Sequence, residues 1–159
     1  MSILRELGVR EGKDRINEEV IYSIANAYMH IDRIISAQLA KNKLSPAKFN
    51  ILLMVKHVGK EKGLAQNEIS KLLLVTTSNV TRMIDKLEKE GLAIRVLVKG
   101  DRRIKRIKIT EKGSGLLDKV WPLYKDNVDF FVGDIFQKSE KQNLINLLSR
   151  LGLSKENKK

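Results

Sequence analysis

Thr76, Thr77, Ser78, Asn79, Thr81, Arg82 and Lys86 gather hydrogen-bond donors and acceptors into one short stretch of the chain. Small hydroxyl and amide side chains followed by cations suit base edges and phosphates in a major groove, and Thr76 is a good helix N-cap. The free N–H groups at a helix N-terminus offer phosphate a second hold. Taken alone, the stretch reads equally well as a capped, solvated surface helix. The next segment decides between the two. Residues 93–110 carry Arg95, Lys99, Arg102, Arg103, Lys105, Arg106 and Lys108 against the single Asp101; seven cations against one acid leave +6, half of the formal +12 of the whole chain. Like charges on paired strands destabilise them unless an anion lies opposite, although basic edges also deter aggregation. Arg102 and Arg103 fall at the tip, where Arg suits a narrow A·T-rich minor groove.

Other chemistries find little support. The absence of cysteine removes disulfides, thiolate metal sites and thiol redox sensing. His30 and His57 are isolated, and neither a Gly-rich phosphate loop nor metal-ligand spacing occurs, so no enzyme, metal or cofactor is expected. Asp85 and Glu88 form a carboxylate pair by spacing, but beside Arg82 and Lys86 they read as intrahelical ion pairs. No apolar run reaches the ~18 residues that cross a bilayer. The segment MSILRELGVREGKDR lacks the apolar core of a secretory signal, and a cytoplasmic protein with no membrane partner is expected.

The elements that must position these residues follow from periodicity. From about Ile16 to Leu39, Val20, Ile24, Ala27, Tyr28, Ile31, Ile34 and Ile35 recur at steps of three and four, a helix with one apolar stripe. Ser45 and Pro46 open a second helix as N-cap and first helical residue, with Gly59 and Gly63 at its exit. A short third helix spans Gln66 to Leu73, with Ile69, Leu72 and Leu73 inward. The fourth covers 77–90, burying Val80, Met83, Ile84 and Leu87 and ending at a left-handed Gly91. Period two then takes over at Ile94, Val96 and Val98 and again at Ile107 and Ile109, predicting a hairpin turning around Lys99, Gly100, Asp101 and Arg102. Thr110 caps a long helix reaching Ile135, with Pro122 expected to kink or interrupt it. Ser139 and Gln142 form a capping box for a last helix bearing Leu144, Leu147, Leu148 and Leu151. The fold class is mostly α with a small β-hairpin wing, in which two short helices precede a basic hairpin: a winged helix-turn-helix.

Residues 44–113 resemble the MarR family of transcription regulators, through LSPAKFNILL, QNEISKLLLVTTSNVTRMIDKLEKEGL, the Asp101-Arg102-Arg103 wing tip and ITEKG. The resemblance implies one domain over 1–159, with winged region 44–110 and dimerisation helices 16–41 and 111–151. It implies a homodimer that acts as a repressor on double-stranded DNA, with the 77–90 helix in the major groove and the 93–110 wing in the minor groove. Arg103 would enter that groove with Asp101 orienting it. A small aromatic effector between dimer helices and winged region is also implied, and Tyr28, His30, Trp121 and Tyr124 are candidates to line its space. Each aromatic has a plainer role as core or interface. Two positions depart from the pattern: Leu74 stands where a turn glycine is common, and Ala65 where a hydroxyl cap is common. From the residues alone, an architectural DNA-, RNA- or protein-binding module without operator specificity remains open.

Overall fold

Ser45 accepts the Lys48 N–H and Pro46 takes the first helical position, so the second helix begins where its residue types require. In a computed structural model, residues 15–73, 76–98 and 101–153 are described, with backbone alone at 101–104, 152 and 153. The elements are α1 (Ile16–Ala40), α2 (Pro46–Met54), β1 (Leu64–Ala65), α3 (Gln66–Leu73), α4 (Thr77–Lys89), β2 (Ala93–Val98), β3 (Asp101–Ile109), α5 (Glu111–Val132) and α6 (Lys138–Leu153). A π-helical turn over Val55–Gly59 and a 3-10 turn over Lys60–Lys62 carry α2 into β1. Contacts divide the chain into two units, residues 1–121 and 122–159.

The first unit closes a dense aliphatic core. Phe49, Leu52 and Val55 from α2 and its extension, Ile69 from α3, Val80, Ile84 and Leu87 from α4, Ile107 from β3 and Leu117 and Val120 from α5 are all buried. Leu72, expected inward, is 49% exposed. In this eight-residue helix the buried positions are Ile69 and Ser70, which sets Leu72 outside the inward stripe.

The sheet has three antiparallel strands in the order β1-β3-β2. β1 went unread in the sequence because two residues hold no period; pairing of Leu64 with Ile107 and Ala65 with Arg106 defines it. β2 and β3 pair from Ala93↔Ile109 to Leu97↔Lys105, then Val98 pairs with Asp101, so residues 102–104 are extra on β3. Lys99 and Gly100, at the expected turn, lie outside the described residues, as does Leu74.

The ITEKG segment has a steric reason. The Thr110 hydroxyl donates to the Gly91 carbonyl at 2.8 Å and accepts the Gly113 N–H at 3.0 Å, capping α5. A Cβ on Gly113 would lie 2.1 Å from the Leu92 carbonyl oxygen, so no larger residue fits there. Gly91 has φ +70°, the left-handed helix end expected of it. Other caps differ from expectation. Thr76 precedes α4 but its hydroxyl bonds no backbone N–H; it lies 3.1 Å from the Ser78 hydroxyl instead. α5 runs through Pro122 without interruption and stops at Val132, short of Ile135. In the second unit, Glu140 accepts the Gln137 N–H at 2.8 Å, so the reciprocal contact sits two residues before the Ser139–Gln142 pair.

Candidate nucleic-acid interface

α3 and α4 are locked together by polar contacts near their N-terminal ends. Ala65 offers no hydroxyl, but Glu68 reaches back to accept its N–H at 2.7 Å, half of a capping box. The Gln66 amide donates to the Thr81 hydroxyl and, at 3.4 Å, to the Thr77 carbonyl. Thr81 in turn donates to that carbonyl at 2.8 Å. The Thr81 hydroxyl is therefore committed inside the motif. Thr76, Thr77, Ser78, Asn79, Arg82 and Lys86 are exposed around the first three turns of α4.

The acids of α4 do not pair along their own helix. Asp85 Oδ1 accepts from Arg95 Nη2 at 2.7 Å, and Glu88 accepts both the Arg95 N–H at 2.7 Å and the Nη1 end of its guanidinium. Periodicity pointed to Arg82 and Lys86 as their partners; the structure gives both carboxylates to the wing. Arg82 and Lys86 are consequently exposed with no ion pair among the described residues. Arg106 is likewise turned inward, donating to the Gly63 carbonyl at 2.8 Å and standing 3.5 Å from Glu68. Among the described residues, the wing cations Arg95 and Arg106 thus serve internal contacts, a fact invisible to a local charge count.

Between the first turn of α3, Thr77 and the wing lies a groove of about 550 Å³, into which Gln66, Asn67, Lys105 and Arg95 face. Lys105 is exposed at its edge. Asp101, Arg102 and Arg103 begin β3, the two arginines within the three extra residues of the bulge. Their side chains, and Lys99 altogether, lie outside the described residues. The C-terminal end of α4 is held to α2 and α5: Lys48 Nζ contacts both Glu90 carboxylate oxygens at 2.6 and 2.8 Å, and Lys112 Nζ donates to the Glu90 carbonyl at 2.8 Å. α4 therefore has fixed neighbours at both ends.

A cavity of about 620 Å³ opens on the opposite flank of α4, where Tyr28, Asp32 and Ser36 of α1 face Asn50 and Ile51 of α2 and Asn79 and Met83 of α4. Of the four aromatic candidates for an effector space, Tyr28 lines it. His30 sits instead within 3.5 Å of Arg33 on the exposed side of α1, and Trp121 and Tyr124 are not among the lining residues. Asn50, Asn79 and Asp32 supply polar lining to which aromatic residue types do not point.

Among the described residues, no group of His, Cys, Asp or Glu is placed to hold a metal ion, and no helix is long and apolar enough to cross a membrane. Two helices in tandem, a three-stranded sheet with a basic hairpin and an exposed polar face on the second helix define a winged-helix DNA-binding transcription regulator. The sequence profile of the MarR family matches residues 42–104. The transcriptional regulator PecS of Dickeya dadantii is 30% identical over 132 residues, 83% of this chain and 79% of that protein. The regulator MhqR of Bacillus subtilis is 29% identical over 131 residues, 82% of this chain and 88% of that protein. The crystal structure of Sco3205, a MarR family regulator from Streptomyces coelicolor in complex with DNA, superposes with a TM-score of 0.83 at 20% identity, covering 93% of this chain and 94% of that one. The chain belongs to the MarR family, whose members regulate transcription and are not enzymes.

Proposed function

We propose that the chain represses transcription as a homodimer on a pseudo-palindromic operator, with α4 in the major groove and the wing in the minor groove. The single observation behind this reading is the exposed face of α4. Among the described residues Arg82 and Lys86 have no ion pair, because Arg95 takes the neighbouring acids, which leaves cations and small polar groups where a groove would meet them. Thr76, Thr77, Ser78, Asn79, Arg82 and Lys86 are the readers on this view, and Lys105 meets phosphate at the groove's edge. Lys99, Arg102 and Arg103 supply the wing's reach, with Asp101 beside them to orient Arg103. Thr81 contributes by holding α3 against α4. The family relative Sco3205 was crystallised with DNA, which supports the same mode of use here.

The dimer is supported by apolar surface that the chain leaves uncovered. Ile16, Ile21, Tyr22 and Met29 of α1 are exposed, as are Leu144, Ile145, Leu147, Leu148 and Leu151 of α6. Large apolar side chains exposed along a helix often mark an interface, and a two-fold pairing would cover like with like. A small aromatic effector would enter the cavity beside Tyr28, where it touches Asn79 and Met83 of α4 directly.

Selection from random duplex DNA, with the oligomeric state followed by sedimentation, tests the whole reading. The expected product is an inverted repeat with half-site centres about 10 base pairs apart, or a near multiple, bound by two chains. An asymmetric site bound by one chain, or no preference over random duplex, overturns it.

A further inference from the structure

We infer that Arg95 is a positioning residue: it sets the stance of the wing relative to the recognition helix and does not itself neutralise phosphate. The inference rests on the DNA-binding reading above, because the stance matters through the two grooves it serves. Counted from the sequence, Arg95 belongs with the DNA-binding cations of the wing. Its surroundings assign it differently. The guanidinium fork is spent on Asp85 and Glu88, one helical turn apart on α4, and the backbone N–H of the same residue is spent on Glu88 as well. One cation against two carboxylates leaves the cluster at −1, which repels a phosphate rather than attracting it. Only 21% of the Arg95 side chain is exposed.

The place of the contact gives it leverage. Arg95 lies in β2 opposite Ile107, the third pair below the bulge that carries Arg102 and Arg103. Glu88 lies in the last turn of α4, Asp85 a turn nearer the exposed reading face. A fork fixed on two carboxylates resists both sliding and rotation of the strand past the helix, as a single point charge would not. The span between major-groove and minor-groove contacts is thereby a property of this cluster.

The test compares wild type, Arg95→Ala, Arg95→Lys, Glu88→Gln and the double variant Arg95→Ala/Glu88→Gln, each checked for folding by thermal melting. Binding is measured on a selected duplex and on random duplex over a salt series. As a positioning residue, Arg95→Ala and Glu88→Gln each lower the selected-to-random affinity ratio about tenfold, and the double variant is no worse than Arg95→Ala. The salt slope stays at the wild-type value, and Arg95→Lys fails to restore the ratio because it lacks the fork. A phosphate contact gives the reverse pattern: Arg95→Ala lowers the slope by about one unit, Arg95→Lys restores it, and Glu88→Gln tightens binding to both duplexes by releasing the cation. That pattern overturns the proposal. Hydrogen exchange without DNA keeps the two readings separable. Faster exchange at the β2 and β3 amides in Arg95→Ala and Glu88→Gln alike, with the helical core unchanged, supports the role even if the wild type shows no duplex preference. Unchanged exchange at those amides overturns it even if the operator is found.

Discussion

Between Leu39 and Val120 the chain buries most of its large apolar side chains within itself, while along the first turns of α1 and most of α6 it leaves them in the open. The two regions have similar residue types; Leu and Ile dominate both. What differs is the number of elements packed around each stripe. α2, α3, α4, α5 and the sheet surround a common centre, so Leu52 is 0% exposed, whereas Ile145 on α6 is 56% exposed and Tyr28 on α1 67%. Apolar periodicity therefore says that a face needs cover without saying whose cover it will be. In the winged region the cover is the chain's own. On α1 and α6 the proposed second copy would supply it.

The comparison breaks most sharply at Leu52. Leu52→Ala should lower stability by about 2–5 kcal/mol, the range for a buried leucine whose cavity cannot collapse, read as a fall in the urea midpoint with an unchanged slope. A loss below ~1 kcal/mol would mean that this region is no tighter than the helices outside it. Ile145→Asp should behave in the opposite way. Far-UV circular dichroism should stay near wild type, while sedimentation shifts toward monomer by ~2 kcal/mol or more of association free energy, as for a central interface residue. An unaltered oligomeric state would remove α6 from the interface. Within the reading surface, Arg82→Ala should cost about 1–3 kcal/mol of discrimination at one position in each half-site and little on random duplex. Arg103→Ala should weaken both duplexes nearly equally and reduce the salt slope by about one unit, with any lost preference confined to A·T-rich flanks. Equal losses on both duplexes for Arg82→Ala, or none for Arg103→Ala, would show that helix and wing do not divide the work in this way.

Features set by neighbours in sequence were legible from the residues. Ser45 with Pro46, Thr110 with Gly113, and Gly91 all occupy the caps and helix ends that their types dictate. The alternation at 94–98 and 107–109 likewise became paired strands. Features set across the fold were not. Arg95 meets Asp85 and Glu88 only once the chain has turned at Gly91 and Leu92, and helical spacing offers Arg82 and Lys86 as nearer partners. Arg106 finds Gly63 and Glu68 about 40 residues away in sequence, through the same strand pairing that creates β1. Leu72 shows the limit of a stripe read from so short a helix, where one residue of rotation exchanges core for solvent. In the candidate site, residue types marked the exposed face of α4 as polar and basic, but which of the described cations lack an ion pair depended on acids that only the fold brings near.

The bulge in β3 separates two requirements that a plain hairpin would force together. In an uninterrupted ladder, adding or removing one residue turns every later side chain to the opposite face, so Ile107 would leave the core and Lys108 would enter it. Here regular pairing is complete from Ala93↔Ile109 to Leu97↔Lys105, and the unmatched residues 102–104 lie beyond it. Length can change among those three positions without disturbing the strand faces below. A wing tip made one residue longer or shorter there would change its reach while Ile107 stayed in the core and Lys108 outside it.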